Sequence, residues 1–106
     1  MDKQYFLGKL SHINYSVAIH PGDAKSRLGS HALLVFLIDI DVIPSSYKKD
    51  FITLVKIIKD ENLTNPTGMR ISFHGKRNST IAKFIKLLID IEYQIRDKIE
   101  HEKTNK

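Results

Sequence analysis

Residues 78–100 read NSTIAKFIKLLIDIEYQIRDKIE, and their apolar side chains recur every three or four positions. This spacing places them on one face of an α-helix. The face is formed by Ile81, Phe84, Ile85, Leu88, Ile95 and Ile99. Leu87 and Ile91 widen it, so we expect this helix to contact two neighbours. Asn78 or Ser79 is positioned to cap the helix at its start.

The same periodicity predicts three further helices, and hence a single all-α, four-helix domain over residues 1–106. The predicted helices span about 3–19, 23–40, 46–61 and 79–100. The second is expected to be central and the most buried, because ALLVFLIDI at 32–40 is apolar on nearly all sides. A β-strand is the alternative for this segment, since short apolar runs fit both structures.

A long connection, residues 62–77, separates the third and fourth predicted helices. It contains the turn-forming sequence Asn65-Pro66-Thr67-Gly68. Residues 69–73 have a strand-like pattern, although a lone strand has little support. Long connections inside compact domains are often functional or mobile. We also expect the charged end of the chain, from residue 96 onward, to fray.

The composition is that of a globular protein without disulfides. The 106 residues are 42% hydrophobic and include no cysteine, which excludes thiolate metal sites and a cysteine nucleophile. The longest near-apolar run, residues 32–43, contains two aspartates and is too short to span a bilayer. The first residues have no apolar signal-peptide core. We therefore expect a cytoplasmic protein with no membrane partner.

All of the formal net charge of +5 lies in residues 62–89, which hold five basic residues and no Asp or Glu. These are Arg70, Lys76, Arg77, Lys83 and Lys86. Lys83 and Lys86 fall in the first two turns of the predicted fourth helix, where cations oppose the helix dipole. The N–H groups of a helix start favour an anion, and Asn78 and Ser79 add side-chain donors. The predicted anion- and partner-binding residues are Arg70, Lys76, Arg77, Asn78, Ser79, Lys83 and Lys86.

Phe73 and His74 lie beside Lys76 and Arg77, and aromatic side chains interleaved with basic ones could stack nucleic-acid bases. The sequence HGKRNST at 74–80 has Gly-Lys but lacks the upstream glycine of a nucleotide-binding P-loop. No helix-turn-helix signature is present, so sequence-specific DNA recognition is not predicted.

A second candidate site is residues 20–31, HPGDAKSRLGSH. Asp23, Arg27 and His31 follow one another at four-residue spacing on one helical face, which would suit acid–base chemistry on a phosphodiester. The structural alternative is an Asp23–Arg27 salt bridge with His31 as a packing residue. Gly29 would allow close approach of another helix.

Arg77-Asn78 at a predicted helix start resembles the first half of the RNxxxH motif of HEPN-type ribonucleases, which are small all-α bundles of similar length. Ala82 occupies the histidine position of that motif. Arg27 and His31 supply an arginine and a histidine at a spacing one residue shorter. The resemblance covers these fragments alone, and it implies metal-independent RNA cleavage by Arg27 and His31.

The leading hypothesis is a non-catalytic helical binding or regulatory module, an accessory subunit that engages an acidic protein surface or a nucleic-acid backbone. The five histidines are scattered and no metal-binding spacing is present, so no metal or cofactor is expected. The ribonuclease is the first alternative. A dimerising structural scaffold is the second, because the second and fourth predicted helices carry much apolar surface.

Overall fold

The chain folds into four α-helices and two short 3₁₀ segments, which a computed structural model describes for residues 3–64 and 70–104. The α-helices are α1 (Lys3–Ile19), α2 (Ala24–Gly29), α3 (Ser45–Thr64) and α4 (Asn78–Thr104). The 3₁₀ segments are Ala32–Leu37 and Ile40–Val42. The predicted all-α class is confirmed, and no strand occurs in the described ranges.

α4 lies at the centre of the core and packs against α1, α2 and α3. Its buried side chains are Ile81, Leu87, Leu88, Ile91, Ile95 and Ile99. A helix covered on several sides needs an apolar face wider than a single stripe, which explains the extra apolar positions in this segment. The central position predicted for the second helix is therefore wrong.

α1 runs antiparallel to α4. Near one end of the pair, Lys3 Nζ lies 3.0 Å from Glu102 Oε1. Further along, Asn14 Nδ2 donates hydrogen bonds to the Leu88 carbonyl at 3.0 Å and to Glu92 Oε1 at 2.8 Å. α4 continues to Thr104, so the charged segment that was predicted to fray from residue 96 is helical to that residue.

The predicted second helix, 23–40, is wrong beyond Gly29. The Gly29 carbonyl accepts a hydrogen bond from Ile71 N at 3.0 Å, where a continuing helix would use a later N–H of its own. The apolar run that follows winds as a 3₁₀ helix and buries Ala32 and Val35. The strand alternative for this segment is also not observed.

α3 spans Ser45–Thr64 and is slightly longer than the predicted 46–61. Pro44 precedes it and forces an extended step at Ile43, which separates α3 from the second 3₁₀ segment. Its buried side chains, Phe51, Leu54 and Ile58, face the core.

Two side chains of residues 70–77, the described part of the long connection, pack in the core. Ile71 is 1% exposed and Phe73 is completely buried. Residues 65–69, which include the predicted turn and the first residue of the strand-like pattern, lie outside the described residues. Among the helices that the structure describes, none combines the length and apolarity needed to cross a bilayer.

Candidate anion-binding surface

The predicted binding residues are all exposed, and all but Arg70 lie just before α4 or in its first nine residues. The set is Arg70, Lys76, Arg77, Asn78, Ser79, Lys83 and Lys86. Lys76 and Arg77 immediately precede the helix. Ser79, Lys83 and Lys86 share one face of it, because they are four and three positions apart. The folded chain therefore gathers four of its cations at one helix start.

Three of these cations, Lys76, Arg77 and Lys83, form no salt bridge within residues 3–64 and 70–104. Lys86 differs, because its Nζ lies 3.1 Å from Asp90 Oδ2, one helical turn further on. The first turn of α4 contains no acidic residue. The dipole of α4 is positive at this end, so the three cations add to a field that already favours anions.

A tight turn sets the direction in which Lys76 and Arg77 enter α4. Phe73 has φ 53° and Gly75 has φ 78°, and Lys76 N donates to the Phe73 carbonyl at 3.0 Å. A positive φ is rare for a bulky side chain, and here the ring of Phe73 is held in the core. The stacking role predicted for Phe73 is therefore wrong, although His74 beside it is exposed.

Asn78 joins the starts of α2 and α4. Its Oδ1 accepts a hydrogen bond from Lys25 N at 3.0 Å, and its Nδ2 donates to Asp23 Oδ2 at 3.2 Å. Asp23 caps α2 through its other oxygen, which accepts from Ser26 N at 2.9 Å. Asn78 is the first residue of α4 and one of the two residues predicted to cap it. Its side chain instead accepts from the backbone N–H of Lys25, at the start of α2.

Two carboxylates from outside the acid-free stretch lie beside it. Asp23 is at the junction just described. Glu61 accepts hydrogen bonds from Ser72 Oγ at 2.8 Å and His74 N at 3.1 Å. The excess positive charge counted along the sequence is thus partly compensated in the fold. No sequence pattern marked Glu61 as a neighbour of the basic stretch.

Both carboxylates are stabilised in their ionised form. Hydrogen bonds from the Ser26 backbone and side chain, with smaller contributions from Asn78 and Lys25, lower the pKa of Asp23 below 3.8. Slight burial acts to raise the pKa of Glu61, but hydrogen bonds from His74 and Ser72 outweigh it and bring the pKa below 4.5.

Arg27, proposed as a catalytic charge stabiliser, donates hydrogen bonds to the end of α1. Its Nε donates to the Val17 carbonyl at 3.0 Å, and its Nη2 donates to the Ala18 carbonyl at 2.6 Å. These are terminal carbonyls that α1 leaves without helical partners. The salt bridge expected between Asp23 and Arg27 is not formed, since neither side chain has the other among its contacts.

His31 lies against His20 and is separate from the Arg27 contacts. The two imidazole rings meet edge to face, with centroids 5.5 Å apart, and His20 Nε2 is 3.3 Å from Ser30 Oγ. Burial lowers the pKa of His31 below 6.5, and the positive potentials of His20 and His12 lower it further. The structure thus pairs His31 with a second histidine, which the helical spacing of residues 23–31 gave no reason to expect.

No group of three or more metal-ligating side chains is positioned to hold a metal ion in the part of the chain that the structure describes. No protein-family model, curated protein or solved structure matches the chain. The function is therefore inferred from the basic surface at the start of α4.

Proposed function

We propose that the protein is a non-catalytic helical binding module that engages an anionic partner through the start of α4. The observation that carries the proposal is the set of exposed, unbridged cations Lys76, Arg77 and Lys83. Cations at a helix start reduce helix stability, and a bound anion would remove that cost. Phosphate groups of a nucleic acid and carboxylates of an acidic protein surface both meet this requirement.

The test is the affinity for labelled single-stranded RNA and for labelled polyglutamate, measured by fluorescence anisotropy. We expect Lys76→Glu with Arg77→Glu to weaken binding by at least about tenfold, which corresponds to about 1.4 kcal/mol. The matched control, Lys49→Glu with Lys98→Glu, makes the same change in net charge at two other exposed lysines. Equal weakening by both double variants, or no binding to either probe at low salt, would refute the proposal.

The salt dependence of Kd for RNA, together with the preference between the two probes, distinguishes a nucleic acid from an acidic protein as the partner. Three phosphate contacts predict that log Kd for RNA changes with log salt concentration with a slope of about 2. A preference for polyglutamate over RNA at matched salt would assign an acidic protein surface instead.

The ribonuclease alternative has one supporting feature, the lowered pKa of His31, which keeps a neutral imidazole available as a base at neutral pH. It predicts RNA cleavage that resists chelators and is lost in His31→Ala with the fold intact. The contacts of Arg27 with α1 make it the weaker proposal. The scaffold alternative predicts a stable oligomer by light scattering, with a mass that does not change with salt.

A further inference from the structure

An apolar groove lies between the first 3₁₀ segment and α3. Its volume is about 480 Å³, which is within the usual range for binding clefts. Buried Val35 and Phe51 contribute to its lining. Phe36, Ile40 and Ile52 also line it, and these side chains are 43%, 38% and 51% exposed.

The groove follows from the 3₁₀ conformation that replaces the predicted helix. A 3₁₀ helix repeats every three residues, and here this spacing turns Ala32 and Val35 into the core. Phe36 and Leu37 then face outward, where they are about half exposed. A cluster of large exposed apolar side chains rimmed by polar ones is typical of an interaction surface.

The rim of the groove is positively charged. Lys56 and Lys59 line it from α3, continuing the helical stripe that begins at Ile52. Both lysines are exposed, and neither forms a salt bridge inside the described ranges. An apolar occupant would remove water from these ammonium groups, so it must supply carboxylates to compensate their desolvation.

We propose that this groove binds an acidic amphipathic helix of a partner protein. Large apolar side chains at positions i, i+3 or i+4, and i+7 of that helix lie in the groove, and Asp or Glu residues beside them pair with Lys56 and Lys59. The groove shares no residue with the surface at the start of α4. The proposal therefore goes beyond the binding function proposed above and does not depend on it.

The test starts from a display library of short helical peptides in which the apolar and flanking charged positions are randomised. We expect enriched peptides to combine the helical apolar spacing with acidic flanks. Ile52→Asp should reduce their affinity by at least about tenfold. The matched control is Ile89→Asp, because Ile89 on α4 is 49% exposed and does not line the groove.

The charge contribution is tested separately. Lys56→Glu with Lys59→Glu should also weaken the enriched peptides by at least about tenfold, and a peptide with basic flanks should recover affinity for this variant. Lys49→Glu with Lys98→Glu is the control, since it makes the same change in net charge at two exposed lysines that do not line the groove and should leave peptide binding unchanged. Circular dichroism confirms that each variant is folded.

Four results would overturn the proposal. The first is a library that yields no enriched peptide or yields peptides without acidic flanks. The second is binding that Ile52→Asp leaves intact. The third is a dimer of the free protein that Ile52→Asp dissociates in light scattering, because a second copy would then cover the groove. The fourth is co-sedimentation with phosphatidylserine vesicles that is lost in Ile52→Asp, which would assign the groove to a lipid surface.

Discussion

Replacement of Gly29 by alanine should destabilise the fold, although alanine is the better helix former. A β-carbon built on Gly29 collides with the carbonyl oxygen of Ile71. The colliding atom belongs to the backbone, and Ile71 is buried and hydrogen-bonded to Gly29 through its own N–H. Neither partner can move away by a simple rotation of a side chain. The end of α2 and residues 70–73 must separate instead.

The size of the effect follows from three contributions. Overpacking of a filled core by one methyl group costs about 1–3 kcal/mol. Separation of the two segments weakens the hydrogen bond from Ile71 N to the Gly29 carbonyl, which is worth about 1 kcal/mol. The higher helix propensity of alanine offsets about 0.5–1 kcal/mol of this loss. We therefore expect the free energy of unfolding to fall by about 1–3 kcal/mol.

The assay is urea unfolding followed by far-UV circular dichroism, with the midpoint of Gly29→Ala expected about 1–2 M below that of the parent. Gly8→Ala is the matched control, because Gly8 lies in α1 and a β-carbon there meets no atom within 4 Å. It should raise stability by about 0.5–1 kcal/mol. If Gly29→Ala is as stable as the parent while Gly8→Ala shows its gain, the close approach of Ile71 is wrong.

Three further predictions concern side chains that hold the helix ends. Arg27→Ala should lower the free energy of unfolding by about 1–2 kcal/mol in urea melts, because it leaves two terminal carbonyls of α1 without donors. Asn78→Ala should lower it by about 1 kcal/mol in the same assay, because the Lys25 N–H loses its capping acceptor. The pKa of His31 is lowered in the folded state, so the unfolded chain binds this proton more readily. Stability measured by urea melts should therefore fall as the pH drops below 6.5, and His31→Gln should reduce this loss.

Each of these three has a matched control. Arg77→Ala removes an exposed arginine with no contact to α1 and should change stability by less than about 0.5 kcal/mol. Ser79→Ala, next to Asn78, should be equally mild. His101→Gln, at an exposed histidine, should retain the pH dependence near 6.5. A control that matches its test variant would show that the proposed contact does not contribute.

The sequence pattern predicted α1, α3 and α4 well because each carries apolar side chains at helical spacing, in a single stripe on α1 and α3 and in a wider face on α4. α1 has the bounds predicted for it, and α3 and α4 differ from prediction by a few residues at their ends. In each of these helices the local apolar periodicity and the burial in the fold favour the same structure, so the tertiary contacts did not change the conformation that the sequence pattern predicts.

The segment after Gly29 was mispredicted because a distant residue determines its conformation. The carbonyl of Gly29 is taken by Ile71, which lies far along the chain. Periodicity within residues 23–40 carries no information about that partner. The groove beside α3 was missed for the same reason, since it exists only when the 3₁₀ segment turns Phe36 outward.

The cations of the candidate binding surface could be predicted from the sequence, whereas the two carboxylates beside them could not. Lys76, Arg77 and Lys83 are close in sequence, so a charge count finds them. Asp23, which precedes α2, and Glu61 of α3 reach the same surface through hydrogen bonds with Asn78, Ser72 and His74. A count of charged residues along the sequence therefore overstates the positive field at the start of α4.

The antiparallel pairing of α1 with α4 has a consequence for synthesis of the chain. The contacts between Lys3 and Glu102, and between Asn14 and Leu88, join residues 99 and 74 positions apart. During translation, at about 5–20 residues per second, α1 leaves the ribosome before α4 has been synthesised. Until α4 emerges, the buried face of α1, which includes Phe6, Leu10 and Ile13, lacks the contacts of that helix, and transiently exposed apolar surface of this kind favours aggregation.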